Sequence, residues 1–176
     1  MVLSLLTASC AGTSSVVMVD HIRPGNGYAL MVVHGNWESW QVGLERLQLH
    51  YRHETGEQSG KVRMRRSGEL ELVELPAGNY RWQEIQFGQA RMALREGSGF
   101  TVVEGTLNYI GDVFVAYDAG DRRLVDVRVE DNEAVVRARV AAANAPLLAR
   151  YGLGSALMIL AAEAPPPDPA RSASPR

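Results

Sequence analysis

The chain has 176 residues, 46% hydrophobic and 22% charged, with 20 acidic side chains against 18 basic ones and a formal net charge of −2. That length suits one domain, because a chain of ~150 residues buries roughly 70% of its unfolded surface, and the composition is too apolar for global disorder. The near balance of charge excludes the global field expected of a nucleic-acid binder or a polybasic membrane binder, and a single cysteine, Cys10, excludes an intrachain disulfide and any paired-cysteine zinc or redox site.

In chain order, residues 2–6 are mostly apolar and are followed by Thr7-Ala8-Ser9-Cys10-Ala11-Gly12, with Ser and Thr beyond. This resembles the end of a bacterial lipoprotein signal peptide, in which small residues precede a cysteine that becomes lipidated. It departs from that pattern in three ways: Thr7 holds the usual Leu position, no Lys or Arg precedes the apolar run, and the run is shorter than the ~7–15 residues of an ordinary signal. The other reading of the same residues is a short strand or tail with an incidental cysteine. The resemblance implies lipidation at Cys10, and Ala11 in place of Asp implies sorting to the outer membrane. No run approaches the ~18–20 apolar residues of a spanning helix, and residues 153–162 are too few.

From about residue 16 to residue 130 the pattern is strands and turns. The cluster Arg23-Pro24-Gly25-Asn26-Gly27 turns the chain into residues 28–33, a continuous apolar run that predicts a central strand. Residues 34–41 read as a loop carrying Trp37 and Trp40. Residues 44–53 alternate, with Leu47, Leu49 and Tyr51 on one face and Arg46, Gln48, His50 and Arg52 on the other, the period of a half-buried antiparallel strand. Residues 61–66 alternate again, and Ser67-Gly68 predicts a hairpin into residues 69–75, where Leu70 and Leu72 oppose Glu69 and Glu71. In residues 80–87 the inward set is less clean. Further strands are expected at residues 91–95, 100–103, 107–117 and 124–129.

Helical pattern begins only near the end. Asp131 or Asn132 suits an N-cap, Glu133 suits the positive end of the helix dipole, and Val135, Val136, Val140 and Ala143 fall at helical spacing. Pro146 starts a second helical turn with Leu147, Leu148 and Tyr151 as its apolar face. The expected organisation is a signal remnant and tether over 1–15, a β-sandwich over 16–130, C-terminal helices over 131–162, and a Pro-rich disordered tail over 163–176. The fold class is mainly β: an antiparallel β-sandwich of about seven to eight strands with a C-terminal helical appendage.

Two motifs carry a resemblance. Glu74-Leu75-Pro76-Ala77-Gly78-Asn79-Tyr80 resembles the LPAG-x-Y corner of transthyretin-like (prealbumin-like) sandwich modules. The stretch from Phe100 through Gly105 and Tyr109 to Val113 resembles a strand pair of small bacterial envelope lipoproteins of that architecture. The resemblance covers under a third of the chain and implies a binding or structural lipoprotein facing the periplasm, without catalysis.

Catalytic patterns are weak. His50 and His53 are three apart on a strand and so point to opposite faces, which argues against a shared metal ion, and neither GxSxG nor GK[ST] occurs. Glu69 and Glu71 read as a solvated strand face. Lys61, Arg63, Arg65 and Arg66 form a basic stripe, to which Arg81, Arg91 and Arg95 can add; it fits either an anionic surface or the charging of an edge strand against self-pairing. Trp37 and Trp40 fit a partner-binding or sugar-stacking loop, or indoles folded over the core. The expected protein is therefore a non-enzymatic lipoprotein, without cofactor or metal, at the periplasmic face of the outer membrane. It would be anchored through Cys10 and bind an envelope protein partner through a strand edge. The alternative is a carbohydrate or cell-wall binding module using Trp37 and Trp40. Lys61, Arg63 and Arg65 complete the candidate binding residues.

Overall fold

The computed structural model describes residues 19–36, 47–56, 58–64 and 67–160. Its elements in chain order are β1 (Asn26–Gly35), β2 (Leu47–His53), β3 (Ser59–Met64), β4 (Leu70–Pro76), β5 (Gly78–Phe87), β6 (Ala90–Ala93) and β7 (Gly99–Val102). There follow β8 (Leu107–Asp118), β9 (Arg123–Glu130), α1 (Glu133–Tyr151) and β10 (Leu153–Ser155). They form two five-stranded sheets and one helix, the mainly β sandwich with a C-terminal helix that the sequence predicts. The first sheet runs β10-β8-β1-β4 with β9 also on β8; the second runs β3-β2-β5-β6 with β7 also on β5.

The first sheet is mixed rather than wholly antiparallel, because β1 and β10 both lie parallel to β8. β1 explains why. Ala29, Met31 and Val33 enter the core between the sheets, while Tyr28, Leu30 and Val32 lie in a second core with Val136, Val140 and Leu147 of α1. A strand covered on both faces has no reason to alternate, hence the unbroken apolar run. Three layers result: second sheet, first sheet, helix.

The expected hairpin between residues 61–66 and 69–75 does not form. β3 pairs with β2 in the second sheet, whereas β4 pairs with β1 in the first, so Ser67-Gly68 is a crossing between sheets. Gly68, at φ 74°, donates its N–H to Val33 O at 2.8 Å. Glu71, expected on a solvated face, is buried, because it shares its strand face with Val73 and Leu75 of the inter-sheet core.

Both motifs that carry the family resemblance are also crossings between sheets. In the first, Pro76 ends β4, Gly78 opens β5, and Tyr80 Oη donates back to Pro76 O at 2.7 Å. Burial, with Tyr51 close by, pushes the Tyr80 hydroxyl up to about 12, so it remains a donor. In the second, buried Asn108 pins the turn between β7 and β8: its Oδ1 accepts from Val103 N, and its Nδ2 donates to Tyr28 O, Val103 O and Thr106 O.

Two of the three bulges among the described strands reset the phase of residues that matter for the sites. In β5 the partners pass from Tyr51↔Trp82 to His50↔Glu84, leaving Gln83 extra, so the inward set is Tyr80, Trp82, Ile85 and Phe87. That phase change is why the segment does not alternate cleanly. In β8 the partners pass from Leu30↔Tyr109 to Met31↔Gly111, which brings Tyr109 and Asp112 onto one face. Gly111 sits at φ 117°, and a Cβ there would come within 2.5 Å of Val129 Cγ1.

In α1, Asn132 occupies the N-cap, while Asp131 Oδ1 accepts from Glu133 N at 3.0 Å. The helix is broken at Asn144 (φ −156°, ψ 73°), whose Oδ1 accepts from Leu147 N and so caps the Pro146 turn. Val135 and Ala143, expected on the packed stripe, are exposed; Val136, Val140 and Leu147 make the contact. Residues 153–160, expected as part of the helical appendage, instead return to the sandwich. β10 joins β8, Ala156 N and Met158 N donate to Tyr109 O and Ile110 O, and Ile159 bridges Gly99 of β7.

Candidate functional site

The outer face of the second sheet carries the largest concentration of like charge that the topology assembles. Strand alternation sends Leu47, Leu49, Tyr51, Val62, Met64 and Trp82 inward, so the residues between them face out. Three cross-strand rows follow from the register. Ser59, Arg52, Arg81 and Gly99 form the first; Lys61, His50, Glu84 and Ala93 the second; Arg63, Gln48, Gln86 and Arg91 the third. Arg52, Lys61, Arg63, Arg81 and Arg91 thus stand around one carboxylate, Glu84, in a chain of net charge −2.

Glu84 is shared, 3.3 Å from Arg91 Nη1 and 3.9 Å from His50 Nε2. Arg81 reaches Glu96 at 3.7 Å, but that carboxylate is 88% exposed and the pair is solvent-screened. Arg52, Lys61 and Arg63 make no ion pair with the described residues. Gln48 Oε1 and His50 Nε2 are covered from solvent and have no hydrogen-bond partner among the described residues. Polar atoms in that condition carry a desolvation cost that an incoming donor or acceptor would relieve.

Of the sequence-predicted binding residues, Lys61 and Arg63 lie on β3, which pairs only with β2 among the described residues. Arg81 and Arg91 join them on the same face, and Arg52 joins as well; it was visible in the alternation of residues 44–53 but not as part of the stripe. Cys10, Trp37, Trp40, Arg65 and Arg66 lie outside the described residues. His50 faces outward, whereas His53 packs edge-on against buried Tyr80 with ring centroids 4.9 Å apart. Among the described residues no group of three His, Cys, Asp or Glu is placed to hold a metal ion.

A second polar cluster lies where the first sheet extends past the helix. Asp112 accepts from Tyr109 Oη at 2.8 Å and from Asn132 Nδ2 at 3.2 Å, and its Oδ2 is 3.1 Å from His34 Nε2. Asn132 N donates to Tyr109 Oη. Burial, reinforced by the Asp112 carboxylate, raises the Tyr109 hydroxyl well above its ordinary range and keeps it a donor. His34 stacks on Phe114 at 4.4 Å, and Arg128 lies over the same ring at 4.7 Å. These side chains line a cleft of about 340 Å³ with Gly35, Asn36 and Ser67. The cluster ties β1, β8 and the start of α1 together. The sequence puts His34 at the start of a loop and gives no sign of this cluster, because only the β8 bulge brings Tyr109 and Asp112 to the same side.

No family model and no curated protein matches the chain. A leucine-rich repeat protein from Bacteroides thetaiotaomicron, known from a crystal structure, is similar at 16% identity and a TM-score of 0.37. The similarity spans 54% of this chain and 12% of that one, and at this level it carries no argument about fold or function.

Proposed function

We propose that the chain is a non-enzymatic lipoprotein of the bacterial envelope, held at the periplasmic face of the outer membrane through Cys10, that binds an acidic protein partner across its second sheet. The observation that carries the reading is the basic face, which no described element covers, beside β3, an edge strand among the described residues. An edge strand offers backbone N–H and C=O groups to an added strand. The spacing of Lys61 and Arg63, two residues apart on one side of β3, matches the side-chain repeat of an extended segment bearing alternate carboxylates. The same cations oppose pairing of two copies edge to edge, so charge selects the partner as well as attracting it.

The test is capture of partners from solubilised native membranes. Lys61→Glu with Arg63→Glu abolishes capture, a proline in β3 that leaves the melting temperature unchanged also abolishes it, and Cys10→Ser releases the chain from the membrane without touching partner affinity. Capture that survives both changes to β3 overturns the docking reading; an intact, unlipidated N-terminus overturns the anchor.

A glycan-binding reading has one observation of its own. The His34–Phe114 stack lines an open cleft with Asn36, and Trp37 and Trp40 remain the candidate sugar-stacking residues. It predicts tryptophan fluorescence changes with envelope polysaccharides that are lost in Trp37→Ala and Trp40→Ala.

A further inference from the structure

Arg52 and Arg81 stand directly opposite each other on β2 and β5, both on the outer face of the second sheet. Directly opposed like charges destabilise a sheet, and among the described residues no buried carboxylate pairs with either. Arg52 has no ion pair among the described residues, and the partner of Arg81 is the almost wholly exposed Glu96. The two arginines line a cleft of about 410 Å³ with His53, Glu54 and Gln83. Gln83 is the extra residue of the β5 bulge, and its amide adds neutral donors to the two guanidinium forks.

We propose that this cleft is a phosphate-binding site that takes a phosphate monoester, either free or as a lipid headgroup. Two planar guanidinium groups present paired N–H donors to oxyanions. A monoester carries about −1.5 to −2 at neutral pH and three acceptor oxygens, so one ligand can engage both guanidinium forks with Glu54 on the wall, whereas a carboxylate has two oxygens to share between them. The cleft also leaves room for the organic part of an ester beside the phosphate. Among the described residues Glu54 is the one carboxylate on the wall; it opposes any anion, so it weakens binding. Arg52 and Arg81 share the outer face with Lys61 and Arg63 but lie off the β3 edge, so phosphate binding that survives loss of partner capture in the β3 variants separates the two readings.

The experiment titrates the full chain with inorganic phosphate and with glycerol 3-phosphate by calorimetry at fixed ionic strength. A parallel arm floats the chain with phosphatidylcholine vesicles with and without phosphatidic acid. Saturable binding in either arm is expected, weakened roughly tenfold or more in Arg52→Gln and in Arg81→Gln, tightened in Glu54→Gln and unchanged in Arg123→Gln on β9 of the other sheet. Arg52→Lys, which keeps the charge but loses the planar fork, gives an intermediate loss. Binding of the soluble phosphates identifies a free ligand; binding only to phosphatidic acid vesicles identifies a headgroup. The absence of saturable binding in both arms overturns the proposal, as does binding undiminished in the folded Arg52→Gln/Arg81→Gln double variant.

Discussion

The two sheets turn opposite characters outward. The outer face of the first sheet carries Tyr28, Leu30, Val32, Leu72, Leu107 and Tyr109, and α1 covers it with Val136, Val140 and Leu147. The outer face of the second carries Arg52, Arg81, Lys61, Arg63, Arg91 and Glu84, and no helix of the described chain lies on it. The lesson is a division of labour. Apolar area removed from water contributes ~25 cal/mol per Å² to holding the layers together, whereas exposed charges contribute little to stability and much to recognition. Substitutions on the first face should therefore be read by melting, and those on the second by binding.

The largest effect is expected beneath the helix. Leu30→Ala removes a fully buried side chain and costs about 2–5 kcal/mol, measured by denaturant unfolding. A cost near zero would mean that α1 is not seated on this sheet. Asp112→Ala takes the acceptor from the Asn132 amide and leaves the Tyr109 hydroxyl only the longer bond to Glu130 O, at about 1–3 kcal/mol in all. Tyr80→Phe removes only the bond to Pro76 O and costs about 0.5–1.5 kcal/mol; no change would reduce that corner to its ring packing.

A smaller effect belongs to pH. Burial by itself raises the Glu74 carboxyl, but hydrogen bonds from Arg23 and Asn26 and the Arg23 charge outweigh it and hold the group below 4.5. A carboxylate depressed in the folded state adds stability above its unfolded value and loses it as pH falls through the depressed folded one. Arg23→Gln should therefore flatten the acid limb of a pH–stability curve, by about 1 kcal/mol or less because Arg23 is half exposed. Least of all, Lys61→Gln and Arg63→Gln should move stability by no more than about 0.5 kcal/mol while weakening partner capture. A large loss of stability would give the basic face a structural role and dissolve the contrast.

The local grammar of this fold was legible, and its long-range pairings were not. Alternation over residues 47–51 and the turn at Pro76-Ala77-Gly78 follow from side chains within a few positions of each other. Glu71 misleads because an acidic residue between leucines reads as solvated, whereas strand phase sends it inward beside Val73 and Leu75. Val135 misleads in the opposite sense: it is at helical spacing but off the buried stripe set by Val136 and Val140. The bulges at Gln83 and at Tyr109 to Gly111 shift phase by one residue, and no composition signal marks the first. On the binding face, Lys61 and Arg63 stand out as a run, but Arg52 becomes part of it only once β2, β3 and β5 are placed side by side.

The parallel pairing of β1 with β8 has a temporal consequence. Tyr28 and Asn108, joined by a hydrogen bond, are 80 residues apart in the chain. Until β8 emerges, one edge of the most apolar strand has nothing to pair with, and its outer face waits longer still, for α1. Contacts of such sequence separation form slowly and leave sticky intermediates. A chain built this way has its period of greatest vulnerability during synthesis or transport, and an escort that shields residues 28–33 until residue 118 has passed would govern yield more than any change to the finished fold.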